Sequence, residues 1–171
     1  TAARHPSFAP AWDALLRLDY VERRQDLARD HVARVLRLRP DHALANHFLA
    51  SFQIDEKRFA EAEAALRVAL RGAPGDPSIL NDLAWCLVSL GRHAEALPYA
   101  RRAAEARPDS AEILDTLGLA LMETGELLEA SQVLTRAVGL NPKSDGIRGH
   151  LEEIRRREAA ARRAGAGEPG K

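Results

Sequence analysis

Apolar residues recur along this chain with a helical period, in runs broken at regular intervals. In AEILDTLGLALMETGELLEASQVLTRAVGLNP, residues 111–142, Leu114, Leu117 and Leu121 fall three and four apart and line one helix face. Gly125 interrupts the run. A second run of Ala130, Leu134, Ala137 and Leu140 resumes it and ends at Asn141-Pro142. Three earlier segments read the same way. The pattern predicts paired helices over 9–22 and 25–38, 43–56 and 59–72, 77–90 and 93–106, 111–124 and 127–140. A terminal helix over about 145–163 follows, with Ile147, Leu151 and Ile154 as its apolar face. No strand pattern competes, and the tail from 164 to 171 is expected to be flexible.

The interruptions keep a strict step. Pro6, Pro40, Pro74, Pro108 and Pro142 lie 34 residues apart, which places five of the nine prolines on one lattice. Ala28, Ala62, Ala96 and Ala130 share that step, as do Leu15, Leu49, Leu83 and Leu117, and Gly91 and Gly125. A fixed period of this length marks stacked supersecondary units. Proline ends each second helix, since it lacks an N–H and restricts the residue before it. Asp76-Pro77 opens a helix as N-cap and first helical residue. Ala50, Ala84 and Gly118 are expected where the first helix of a pair approaches the second, which offers Ala62, Ala96 and Ala130. At the turn between paired helices Gly91 and Gly125 are replaced in the first two units by Arg23 and Lys57. Pro98, inside a predicted helix, reads as a tolerated kink on an outer face.

These features resemble the tetratricopeptide repeat, whose unit has 34 residues and the pattern W-x2-L-G-x2-Y…A-x3-F…P. The last unit carries Leu114, Leu117, Gly118, Leu121, Ala130, Leu134, Ala137 and Pro142. The first carries Trp12, Leu15, Ala28, Val32 and Pro40, and departs at Leu16 and Asp19. The resemblance implies an all-α, right-handed α-solenoid of helix-turn-helix repeats. It divides the chain into the tail of a preceding repeat (1–8), four repeats (9–42, 43–76, 77–110 and 111–144), a capping helix (145–163) and the flexible tail.

The same resemblance places certain first-helix positions on a concave inner wall. They are Asp13, Arg17 and Tyr20; His47, Ser51 and Ile54; Asn81, Trp85 and Val88; Asp115, Leu119 and Met122. Trp85 lies two residues after Leu83, about 200° round the helix, and so leaves the face that packs within its repeat. It is expected to be partly exposed. Some family members hold acidic C-termini with Lys, Arg and Asn on this wall. Here the clamp positions hold Asp13, His47, Asn81 and Asp115, and only Asn81 and Arg17 fit. The asparagine ladder of the sugar-transferase branch is replaced by Ala14, Phe48, Asp82 and Thr116.

Composition removes other classes. Basic and acidic residues balance at 25 each, and the arginines are interleaved with acid, so no nucleic-acid interface is expected. The balance is uneven locally: acidic residues dominate 111–142, and basic ones dominate 143–171. No apolar run spans a bilayer. Cys86 is the only cysteine and reads as a buried filler. No P-loop, G-x-S-x-G, H-E-x-x-H or paired CxxC occurs, so no catalytic residue, metal or cofactor is expected. His42 and His47 are too far round a helix from one another to share a metal. His5, His31, His93 and His150 read as surface polar residues, and Asp82 and Asp115 as unrelated carboxylates on different helices.

The expected function is therefore a non-catalytic scaffold that binds a peptide or helix of another protein. Its contact residues would be Arg17, Tyr20, His47, Ser51, Ile54, Asn81, Trp85, Val88, Asp115, Leu119 and Met122. Two other readings stay open: a substrate-recognition arm of an enzyme lying upstream, and a self-assembling oligomer. The missing start methionine points to a piece of a longer protein. The Arg and Ala bias points to a bacterial source. NDLAW, followed by LDTLG in the next unit, is similar to phrases in bacterial envelope and exopolysaccharide-export scaffolds. The compartment stays open between cytoplasm, periplasm and envelope.

Overall fold

The computed structural model describes residues 9–21 and 24–166. The expectations for 1–8, Arg23 and 167–171 fall outside the described residues. Among the described residues there are nine helices: α1 Ala9–Val21, α2 Gln25–Leu38, α3 Ala43–Asp55, α4 Phe59–Gly72, α5 Pro77–Ser89, α6 His93–Ala106, α7 Ala111–Thr124, α8 Leu127–Leu140 and α9 Asp145–Ala166. Their ends follow the periodic pattern to within one residue, except the last. Helix α9 runs three residues into the segment expected to be a flexible tail. Alanine has the highest helix propensity, and Ala159, Ala160, Ala161, Ala164 and Ala166 carry the helix on. The chain forms two compact units, Thr1–Cys86 and Leu87–Lys171.

In the first unit α1 packs on α2, α2 on α3 and α3 on α4. Leu16, Ala28, Val32, Val35, Ala45 and Phe52 form a core against which Trp12, Leu36, Leu44, Phe48 and Leu49 pack. Trp12 meets the His31 ring edge-on with centroids 6.3 Å apart. Ala50, Ala62, Leu66 and Ala69 are sealed from solvent. In the second unit α6 packs on α7, α7 on α8, and α8 on α9. Ala96, Ala100, Ala103, Leu121, Ala130, Leu134 and Ala137 are fully buried there. Pro98 lies inside α6 and is exposed.

Each first helix after α1 starts with a side-chain cap at the same repeat position. His42 Nδ1 accepts from Ala45 N at 3.3 Å. Asp76 Oδ1 accepts from Ser78 N at 2.8 Å and Ile79 N at 3.3 Å, with Pro77 at the first helical position. Ser110 and Ser144 Oγ accept from Ile113 N and Ile147 N, each at 3.4 Å. These bonds satisfy amides that a helix start leaves without partners. Three of the turns inside repeats use a left-handed residue instead. Gly91 has φ 74°, Gly125 φ 88° and Lys57 φ 60°. The amide that follows each one reaches back five residues: Arg58 N to Gln53 O, Arg92 N to Leu87 O, Glu126 N to Leu121 O. Lys57 therefore occupies a glycine position.

The close approach expected at Gly118 is present, but its neighbour is Leu134 rather than Ala130. A Cβ on Gly118 would lie 2.5 Å from Leu134 Cγ.

Candidate functional site

Wall positions of the first unit come from α1, α3 and the start of α5. Arg17 on α1 is exposed; His47, Ser51, Ile54, Asn81 and Trp85 are half-buried. The Tyr20 side chain falls outside the described residues. Around Trp85 the helix is otherwise closed: Leu83, Ala84, Cys86 and Leu87 are all 0 % exposed. Leu83 and Leu87 anchor α5 by its core face, so the intervening tryptophan is turned away from it. Cys86 is a filler, as expected, and burial foremost pushes its thiol pKa up to about 12. Nearby Asp82 and Glu63 add to that rise.

One hydrogen bond joins α3 to α5. His47 Nε2 on α3 lies 2.8 Å from Asp82 Oδ2 on α5. Ser51 Oγ donates to the His47 carbonyl at 3.1 Å. Asn81 Nδ2 approaches Asp82 Oδ1 at 3.5 Å, and Asn81 Oδ1 is buried without a hydrogen-bond partner. Asp13 on α1 brings Oδ1 to 3.3 Å from His42 Nε2, an electrostatic contact that lacks hydrogen-bond alignment. His42 uses Nδ1 as an acceptor for its cap and is buried, so it is a structural residue.

The second unit treats its share of the positions differently. Val88 and Asp115 are half-buried, but Leu119 is 9 % and Met122 6 % exposed. Helix α9 lies along part of α7. Asp115 Oδ1 bonds His150 Nδ1 at 2.8 Å, and Glu123 meets Arg157 at 3.0 Å, tying α7 to α9. Leu119 is four residues from both Asp115 and Glu123, on the stripe that α9 lies against. Met122 is one turn further along it. Leu119 and Met122 are buried and present little surface. The docked apolar strip of α9 is Ile147, Leu151 and Ile154, all buried, with Ile147 against Leu114 and Ala137.

Two of the histidines read as surface polar residues, His93 and His150, are half-buried. His150 is no free surface group: its bond to Asp115 holds its pKa above the ordinary value, against the opposing effect of burial. His93 is half-buried, with Nδ1 enclosed and without a hydrogen-bond partner. The pairs His47–Asp82 and Asp115–His150 are each 35 residues apart, one more than the repeat. A search for complementary polar residues at that step would have found them. Among the described residues no group of three or more His, Cys, Asp or Glu is placed to hold a metal ion, and no helix is long and apolar enough to cross a membrane.

Helix pairs of fixed length, left-handed turns at one repeat position and small residues between helices are the marks of one repeat type. Models of the tetratricopeptide repeat match residues 14–77, 53–117 and 87–151. The chain belongs to the tetratricopeptide-repeat family. Its fold is all-α, of that family's helix-turn-helix kind. No curated protein matches the tetratricopeptide chain by sequence. Solved structures match it by fold. MamA residues 41 to the end, from Desulfovibrio magneticus, superimposes with a TM-score of 0.73 at 16% identity, over 92% of this chain and 89% of that one. YrrB, described as a TPR protein with an unusual peptide-binding site, gives 0.72 at 20% identity, over 86% and 76%. The first TPR of Spaghetti, bound to the HSP90 peptide SRMEEVD, gives 0.64 at 19% identity, over 68% and 93%.

Proposed function

We propose that this tetratricopeptide protein is a non-catalytic interaction module that holds a peptide or helix of another protein. The contact surface is the first-helix face of α1, α3 and α5, with Arg17, His47, Ser51, Ile54, Asn81 and Trp85 as its residues. The observation that carries the reading is Trp85: within LAWCL it alone keeps surface, while its four neighbours are sealed. A half-enclosed tryptophan on a rigid helix loses little conformational entropy on binding and is a common interface anchor. The fixed His47–Asp82 register gives that anchor a preformed setting. Spaghetti and YrrB support the reading by their described peptide sites.

Pull-down from source lysate with wild type and Trp85→Ala, read by mass spectrometry, tests this. A protein retained by wild type and lost from the variant is then checked by protection of α3 and α5 amides from exchange. Equal capture by both proteins, or protection confined to other helices, rejects the reading. Capture of the chain by itself alone would point to self-assembly instead.

A further inference from the structure

We propose that Asp82 and Trp85 form a recognition site for a lysine or arginine side chain of the bound segment, so that this surface selects basic rather than acidic peptides. The proposal rests on the peptide-binding reading above and names the chemistry of the partner. Asp82 and Trp85 are three residues apart on α5, so their side chains neighbour one another on the helix surface. Both keep solvent access: the Asp82 side chain is 27% exposed and Trp85 is half-buried. A carboxylate beside an indole face attracts a cation twice, by charge and by the ring quadrupole.

Asp82 has capacity left for such a ligand. His47 takes Oδ2, while Oδ1 has only the Asn81 amide at 3.5 Å, the outer limit of a hydrogen bond. A carboxylate can accept about four hydrogen bonds. The His47 N–H satisfies Oδ2 and leaves Oδ1 as an acceptor. One residue before, Asn81 Oδ1 is a further acceptor without a donor. On α1 the Asp13 side chain, 41% exposed, adds a second carboxylate to the first-helix faces of this unit. Arg17 is the one cation among the candidate contact residues there. An acidic peptide such as SRMEEVD, which Spaghetti binds, would bring carboxylates to Asp13 and Asp82. Like charges set against one another oppose binding.

The test pans a random twelve-residue display library on the full chain, on Asp82→Asn and on Trp85→Ala, at low and physiological salt. Wild type is expected to enrich Arg plus Lys about threefold or more over the input, with weaker capture at higher salt. Asp82→Asn keeps an oxygen for His47 and should bring the charge bias back toward the input. Its circular dichroism melt checks its fold, and the wild-type composition decides the question without it. Binders that need Trp85 but are acidic or charge-neutral overturn this proposal and leave the peptide-binding reading in place. No binders, or binders indifferent to Trp85→Ala, overturn both.

Discussion

His47 Nε2 meets Asp82 Oδ2 at 2.8 Å, and two repeats further on the same lattice positions hold Asp115 and His150, also at 2.8 Å, with acid and base exchanged. In each case the pair ties the first helix of one repeat to the next helix along the same face. In both pairs a histidine ring N–H faces an aspartate oxygen, so donor and acceptor still meet when the two residues trade places. Its chemical demand is complementarity, not one residue type at one position.

The Asp115–His150 link should make α9 docking pH-dependent. The His150 pKa is raised in the folded chain, foremost by its hydrogen bond to Asp115. An unfolded histidine titrates near about 6.5. The pair's contribution is therefore complete below that value and fades as pH rises through the raised folded pKa. Amides of α9 should exchange more slowly at pH 6 than at pH 8.5, after correction for intrinsic rates. Asp115→Asn should flatten that difference. Stronger protection at the higher pH in wild type would contradict the account.

Gly118 is a position where size is limiting. The nearest atoms to its missing Cβ are Leu134 Cγ at 2.5 Å and Cδ2 at 2.6 Å. Gly118→Ala gains helix propensity but overpacks the α7–α8 contact, and should cost about 1–3 kcal/mol. Leu134→Ala removes the obstacle while leaving a cavity. The double variant should be more stable than the sum of the two single losses predicts. Additive losses in urea melts would show that the two sites do not interact.

Lys57 holds φ 60° at a turn where Gly91 and Gly125 serve later repeats. A side chain in that region costs about 1–2 kcal/mol. Glycine's greater unfolded-state freedom takes back part of any gain. Lys57→Gly should thus stabilise the first unit by roughly 0.5–1 kcal/mol. A loss of stability in chemical denaturation would mean that the lysine side chain contributes contacts that outweigh the strain.

The helices were legible because each repeat states its pattern again, and errors at one end are corrected by the others. The turn at Lys57 was legible for the same reason: the lattice pointed to a glycine conformation where no glycine stands. Surface was harder to read. Leu119 and Met122 share lattice positions with Arg17, Ser51 and Trp85, and with Tyr20, Ile54 and Val88, yet they are buried. Their fate depends on what lies beside α7, and α9 follows the repeat lattice only in part. The histidine pairs were missed because the period of interest is one residue longer than the repeat. Helix faces drift between neighbours, so partners across an interface need not occupy equivalent positions.

Helix α9 closes the second unit through Ile147, Leu151 and Ile154. Removing everything after Pro142 would leave Leu114, Ala137 and their neighbours Val133 and Val138 without cover. An apolar face of that kind promotes association. The truncated protein should aggregate or elute as larger species in size-exclusion chromatography. A monomer with an unchanged melting temperature would show α9 to be dispensable.

The two tryptophans should respond differently to the same substitution. Trp12 packs against the Leu16–Val32–Phe52 core and meets His31 edge-on. Cutting such a side chain to alanine removes core contacts and leaves a cavity, at a cost of about 3–5 kcal/mol when burial is complete. Trp12 is only partly buried, so the lower part of that range applies, and it falls on the first repeat. Trp85 stands among sealed neighbours that hold α5 without it. Trp85→Ala should therefore lower stability by less than about 1.5 kcal/mol. As an anchor it should nevertheless remove most partner binding, since such residues contribute about 2 kcal/mol or more. Urea denaturation and capture assays on both variants measure the contrast. If Trp85→Ala unfolds the chain, the indole is a core residue and its remaining surface has no separate purpose.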